Sequence, residues 1–308
     1  MTLISQRYQV SAEIEGTEGT AETLVAGDVI LAFNPKFSPN IDMHKRYPGR
    51  SSLSAYPSLP GSRSAKMSFD VELVGTASAG DAVHFADVIK GCGVQETLVA
   101  GTSATYAPAS SSISSLTLGL HRDGKRSRVW GARGNAKLIL EFGKPGIFTF
   151  DFEGADFDVA DEALLAGTSL SSVTPPTCQD ISLTMNSYAA TLSKVEIDFG
   201  NKLATRKDAN ASSGNKSVVL TGREATLSFD PEDVLVATED FFSTWRAGTE
   251  VAFTATLGSD TGNTIAVTAP KVQYHSIAET DRDGIAALEI QCQLDADSGD
   301  DEWEIEIT

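Results

Sequence analysis

Apolar and polar residues alternate in short runs along most of this chain, and that period of two predicts a mainly β protein. In Ile147-Phe-Thr-Phe-Asp-Phe152 the alternation is that of a strand buried on one face. Runs of this kind predict strands over Ala65–Val74, Ser115–Leu120, Arg128–Gly131, Ala136–Phe142 and Gly146–Phe152. They recur over Thr191–Phe199, Lys216–Asp230, Glu250–Leu257, Asn263–Val267, Lys271–Ile277 and Ile285–Leu294. Arg122-Asp-Gly124, Lys144-Pro-Gly146, Thr261-Gly-Asn263 and Arg282-Asp-Gly284 carry hairpin chemistry between them. Only two stretches have a helical period. Asp81–Lys90 sets Val83, Phe85, Ala86 and Ile89 near one face and ends at Gly91. Glu239–Arg246, with Thr238 as N-cap, points Phe241, Phe242 and Trp245 at the core and ends at Gly248.

These landmarks occur twice, in the same order. Asp28-Val-Ile-Leu31 returns as Asp180-Ile-Ser-Leu183, and Ala65-Lys-Met-Ser-Phe-Asp70 as Ala225-Thr-Leu-Ser-Phe-Asp230. Phe85-Ala-Asp-Val-Ile-Lys-Gly91 is echoed by Phe242-Ser-Thr-Trp-Arg-Ala-Gly248, and the turns at Gly124 and Gly146 by those at Gly262 and Gly284. The offset moves from 152 to 160, then 157, then 138, as loop insertions produce. The drop places roughly nineteen extra residues in the first copy, within the Ser/Ala/Thr-rich stretch 94–115. A repeat this long means two copies of one domain, since solenoid units are far shorter. The architecture predicted is two tandem β-sandwich or barrel domains, each with one flanking helix and a long loop or hairpin arm. Residues 1–164 form the first domain, the Ser/Thr/Pro-rich 165–177 a linker, and 178–308 the second, ending in an acidic extension.

The arms differ from the rest of each copy. Asn34–Arg63 holds Pro35, Pro39, Pro48, Pro57 and Pro60 beside Phe37, Tyr47 and Tyr56, and its counterpart is Ser187–Asn215. Neither is expected to supply a continuous buried strand. Loops of this length usually have a partner, so 36–66 and 191–216 are expected to reach other subunits.

Composition narrows the function. A chain of 308 residues with 41% hydrophobic and 21% charged residues fits folded domains of about 150 residues. No stretch reaches the length of a membrane span, and Met1-Thr-Leu-Ile-Ser-Gln-Arg7 lacks a signal-peptide core. The expectation is a protein kept in the cytoplasm until assembly. Cys92, Cys178 and Cys292, odd in number and without CxxC spacing, read as buried apolar fillers. The net charge of −18 argues against binding nucleic acid through its phosphates. Basic residues gather at His44-Lys45-Arg46, Arg50, Arg63 and Lys66, and along Arg122–Arg133. Acidic ones dominate Asp151–Glu162 and Asp295–Glu306. The tail reads either as a solvated extension or as the acidic partner of a neighbour's basic loops.

Catalytic patterns are missing. His44, His84, His121 and His275 have no paired spacing, and there is no GxGxxG, GxxxxGK[ST] or GxSxG. Asp281-Arg-Asp-Gly-Ile lacks the later ligands of a calcium loop and reads as a turn, while Asp295–Asp301 offers at most a weak cation site. A β-scaffold hydrolase needs spaced carboxylates, but Asp151/Glu153 and Asp156/Asp158 only share a strand face. No enzyme activity, cofactor or metal is expected.

Ala12-Glu-Ile-Glu-Gly-Thr-Glu-Gly-Thr-Ala-Glu-Thr-Leu24, followed by Asp28-Val-Ile-Leu31, resembles the N-terminal signature of the major tail tube proteins of long-tailed, siphovirus-like bacteriophages. The order of Ala65–Val74, the Phe85 helix and the hairpin before Ala136–Glu153 is similar too, and the duplication resembles the two-tube-domain type. The resemblance implies a structural virion protein whose trimeric, pseudo-sixfold rings stack into a tube conducting DNA into the host. It implies residence in the virion tail after the host cytoplasm, transient non-adhesive passage of double-stranded DNA, and contacts with tape measure, tail terminator and distal tail proteins. Lys45, Arg46, Tyr47, Arg50, Tyr56, Arg63, Arg206, Lys207, Asp301, Glu302 and Glu304 are the expected assembly residues. The channel wall is expected to carry more acids than bases. A secreted or surface β-rich adhesin with Tyr47 and Tyr56 as its carbohydrate platform is the alternative, and another virion or secretion-tube component a further one.

Overall fold

The structure is a computed structural model that describes residues 2–308. In the first half of the chain the strands are β1 (Tyr8–Ile14), β2 (Val29–Ile30), β3 (Phe33–His44), β4 (Leu59–Glu72), β5 (Val94–Val99), β6 (Ser103–Pro108), β7 (Leu116–Arg122), β8 (Lys125–Glu141), β9 (Ile147–Gly154) and β10 (Asp156–Asp161), with helix α1 (Ala86–Lys90) after β4. In the second half they are β11 (Ser182–Met185), β12 (Leu192–Asp198), β13 (Asn201–Lys207), β14 (Asn215–Arg223), β15 (Thr226–Pro231), β16 (Glu250–Leu257), β17 (Ile265–Arg282), β18 (Ile285–Leu294) and β19 (Glu304–Ile307), with helix α2 (Phe241–Ala247) after β15. The protein is mainly β, as the alternation predicts.

Eight antiparallel strands make one sheet across both halves, in the order β3-β4-β9-β8-β12-β15-β18-β17. Its middle joint is β8 with β12, where Leu138 lies opposite Ile197 and Leu140 opposite Val195. Smaller sheets cover one face: β2-β1-β7-β8-β10 over the first half and β11-β16-β17-β19-β6-β5 over the second. β8 serves two sheets by turning at Gly131, whose φ of 60° a side chain resists. β17 makes the same passage at Pro270, beside a register shift where a residue without an N–H costs no ladder bond.

Between the layers lies one apolar core. Phe148, Phe150 and Phe152 stack along β9, Phe69 packs on them from β4, and Phe148 meets Phe199 of the second half at 6.2 Å. Phe199 in turn stacks on Trp303 at 4.0 Å. Cys92, Cys178 and Cys292 are free and buried in this region, as expected.

Several expectations are corrected. Arg128–Gly131 and Ala136–Phe142 belong to one strand, β8, and Asn263–Val267 and Lys271–Ile277 to another, β17, because a glycine or proline inside a run bends a strand without ending it. Lys216–Asp230 is instead two strands, β14 and β15. α1 starts at Ala86 rather than Asp81, since the Val83 N–H donates to the Tyr106 hydroxyl at 3.1 Å. Gly91 stays right-handed at φ −65°; the left-handed glycine there is Gly93. α2 is capped by Asp240, which accepts from the Ser243 N–H at 2.8 Å, not by Thr238, while Gly248 ends it at φ 64°. Trp245 lies largely outside the core, its indole donating to the His275 carbonyl. The insertion expected in 94–115 contains the β5–β6 hairpin, and β6 pairs with β19 of the other half. The acidic tail is not a solvated extension: β19 lies between β17 and β6 with Trp303, Ile305 and Ile307 buried, its acids alternating outward. Segment 187–215 does hold a buried strand, β12, carrying Val195 and Ile197.

Candidate functional site: a polar sheet face and its arms

Strand pleating sends alternate side chains to opposite faces, so burying Met67, Phe69, Phe150, Leu138, Ile197, Leu227 and Ile290 fixes what the other face shows. Along one register line Asp70, Thr149, Lys137, Asp198, Thr226, Gln293 and Gln273 run side by side across seven strands. The next line reads Glu72, Ile147, Ile139, Glu196, Ser228, Gln291 and Ser276. Neither helix nor either of these smaller sheets covers this face; the β13–β14 hairpin lies at its Arg133 end, with Leu203 beside Asn135 and Asp151. Along both register lines the face nevertheless runs through both halves.

Its charge is uneven. Nine carboxylates (Asp70, Glu72, Glu141, Asp151, Glu153, Glu196, Asp198, Asp230 and Glu289) share it with five open cations (Lys36, Lys66, Lys137, Lys194 and Arg282), and a sixth, Arg133 opposite Glu153, is buried against β14 and paired with Glu18. Four of the cations are held by acids: Lys66 by Glu153, Lys194 by Glu196, Lys137 by Glu196 at 3.5 Å and Asp198 at 3.8 Å, and Arg282 by Asp230 at 3.1 Å. Burial pushes Glu196 up, but hydrogen bonds and charge from Lys194 and Lys137 outweigh it and hold the carboxyl below its usual range. Among the described residues, Lys36 has no carboxylate partner, and Glu72, Asp151 and Glu289 have no cation. A polyanion meeting this face finds acids free and most bases already engaged.

The two arms sit differently. β3 and β4 continue into an exposed segment, 45–58, that carries Lys45, Arg46, Tyr47, Arg50 and Tyr56. The Arg46 and Arg50 guanidinium groups lie 4.6 and 5.2 Å from the centre of the Tyr56 ring, and Tyr47 is 86% exposed. The β13–β14 hairpin lies over β8 instead. Buried Arg133 of β8 donates to the carbonyls of Val218 and Ile113 and pairs with Glu18 at 3.0 Å. Asn215 donates to the Arg63 carbonyl at 2.7 Å, and the Arg63 N–H to the Ser213 carbonyl at 2.9 Å. The part of 191–216 that forms this hairpin is thus seated on the first half of its own chain, with Arg206, Lys207 and Asn210 left exposed.

The remaining expected residues are dispersed. Arg63 makes a two-pronged contact with Asp156 at 3.0 and 2.9 Å, Arg206 lies 3.5 Å from Glu18, and Lys207 is exposed beside it. Asp301 caps its own turn through the N–H groups of Asp297, Ser298 and Gly299. Glu302 accepts from Arg223 at 3.3 Å, and Glu304 is exposed on β19. Basic loop and acidic tail of one chain do not meet.

One arrangement escaped the sequence reading. The Ser11 hydroxyl lies 3.2 Å from His121 Nε2, and His121 Nδ1 lies 3.6 Å from Glu162. Their order resembles a serine nucleophile relay, yet Ser11 and His121 are wholly buried and no substrate reaches the hydroxyl. Burial also pushes the His121 pKa down, and the ring's hydrogen bond to Ser11 ties β7 to β1, while its Nδ1 has no hydrogen-bond partner among the described residues. Asp156 and Asp158 are neutralised by Arg63, Arg126 and Arg128. Among the described residues, no three His, Cys, Asp or Glu side chains converge on a metal position, and no helix is long and apolar enough to cross a membrane. Neither a family model nor a curated protein matches this chain.

Proposed function

We propose that this chain is the subunit of a tube of the phage tail type, with the polar sheet face as its inner wall. Three chains of eight strands form a ring with six similar lobes, rings stack, and the bore conducts double-stranded DNA. The observation that carries this reading is the polar face running through both halves, rich in free carboxylates, with four of its five open cations neutralised. Each lysine or arginine that grips a phosphate adds salt-sensitive attraction, and repeated along a tube such grips arrest a moving genome. A surplus of carboxylates repels the duplex within the roughly 8–10 Å that physiological salt allows. Closing twenty-four strands at 4.8 Å spacing and 35–45° tilt gives a backbone diameter of about 45–52 Å, which leaves room for side chains and a duplex. The protein then resides in the virion tail, reaches it from the host cytoplasm, and meets the tape measure, terminator and distal tail proteins at the tube and its ends.

Of the two rings the adhesin reading needs, Tyr56 is already covered by Arg46 and Arg50 and only Tyr47 is open. Negative-stain electron microscopy of the concentrated protein tests the proposal. Rings or tubes with three chains per ring and six lobes support it; a monomer at every concentration, or rings of six full chains, overturns it.

A further inference from the structure

The polar-faced sheet ends in two margins with no strand beyond them among the described residues: β3 on one side and positions 276–282 of β17 on the other, past the point where the Trp245 indole of α2 takes the His275 carbonyl. Unpaired edges of this length are adhesive, and proteins that stay monomeric blunt or cover them. Inside the chain, equivalent edges are already joined. Ser68 of β4 pairs with Lys36 and Asp151, while Ser228 of β15 pairs with Glu196 and Gln291, which matches β3 to β12 and β9 to β18. One strand further, Asp151 pairs with Asn135 and Gln291 with Ser276, which matches β8 to β17. Both β3 and β12 also shift register near their starts. At the internal joint Lys137 faces Asp198 and Ile139 faces Glu196. The positions that correspond are Ala278 and Ser38, and Thr280 and Lys36.

We propose that β3 of a second copy of this chain pairs antiparallel with β17 of the first, with Ser38 opposite Ala278 and Lys36 opposite Thr280. A separate observation points the same way. The β13–β14 hairpin is seated on the first half of its own chain, whereas the β3–β4 arm has no such seat and leaves Ile41, Met43, Tyr47, Leu53 and Leu59 exposed. Its seat is the second half of the neighbouring copy. The joint between chains is the weaker one, because Glu279 and Asp281 stand where the internal joint has Leu138 and Leu140. This deepens the ring reading by naming the partner strand and its register, and it rests on that reading only for closure.

Paired cysteines test it in the full chain. In Lys36→Cys/Thr280→Cys the two edges of one molecule are seven strand spacings apart, about 34 Å. A disulfide needs Cα atoms within about 7 Å, so any link joins two chains. The native cysteines are buried and do not compete. Mild oxidation should give covalent dimers and trimers on a non-reducing gel, as should Ser38→Cys/Ala278→Cys. The slipped pair Lys36→Cys/Glu279→Cys should give at most a tenth as much, because one residue of slip turns the side chain to the other face. Links in both in-register variants and not in the slipped one establish the pairing even if no tube is seen, an outcome that would sink the tube reading alone. Tubes without in-register links overturn the pairing and leave the tube reading standing. Equal linking in all three, or linking in none, also overturns the pairing.

Discussion

If the polar face lines a tube, reversing its charge should turn a non-adhesive surface into a DNA-binding one. Glu72→Lys, Asp151→Lys and Glu289→Lys change three open-face carboxylates that have no cation partner among the described residues, so no ion pair is lost. Asp151 and Glu289 are exposed, Glu72 half-buried, and all three stand on the polar side of their strands, so the core keeps its packing. The face changes from nine acids and five bases to six acids and eight bases. If each new lysine engages one phosphate, the salt dependence gains a slope of about −0.9 for each, or about −2.7 per chain. A rise from about 50 to 200 mM salt then weakens binding roughly 40-fold per chain engaged. The assay is co-sedimentation of short duplex DNA with assembled tubes over that range. Wild-type tubes should leave the DNA in the supernatant at about 150 mM salt, and the triple variant should carry it down in a salt-sensitive manner. Tight wild-type binding at that salt, or a triple variant with no gain, refutes the repulsive wall.

Trp303→Ala should cost about 3–5 kcal/mol, because the indole is buried and stacked on Phe199; a urea midpoint unchanged from wild type would mean that the acidic tail is not part of the core. Burial lowers the pKa values of His84 and His121, so the unfolded chain takes up protons first and stability should fall as pH drops below about 6.5, by at most about 1.4 kcal/mol per pH unit for each ring. Glu13, raised to about 6 by burial and by Asp28, works in the opposite direction, so the comparison is with His121→Gln, whose loss between pH 7 and 5 should be smaller; equal losses in urea titrations refute the histidine account. Deleting Ile41–Leu59 should leave a folded, soluble protein that forms no tubes, since this segment adds nothing to the core; aggregation on expression or normal assembly counts against the arm's role.

Features that depend on near neighbours were readable along the chain alone. The period of two in Ile147–Phe152 told which residues are buried because pleating alternates sides residue by residue. Asp123-Gly124 and Asp283-Gly284 were legible as hairpin turns because the left-handed conformation both pairs adopt is a property of those residues alone. The polar face was present in the same alternation, in Lys66, Ser68 and Asp70 or Lys194, Glu196 and Asp198, but only strand pairing over long separations laid the strands side by side so that their charges formed one surface. Likewise, nothing local says that β8 joins β12, that Arg133 receives the second hairpin, or that Trp303 crosses to Phe199. Ser11, His121 and Glu162 are far apart in sequence and met only because β1, β7, β8 and β10 pair as they do. Strand order and register are set by which apolar faces bury each other across long separations, and a single chain's local pattern fits many such pairings equally well.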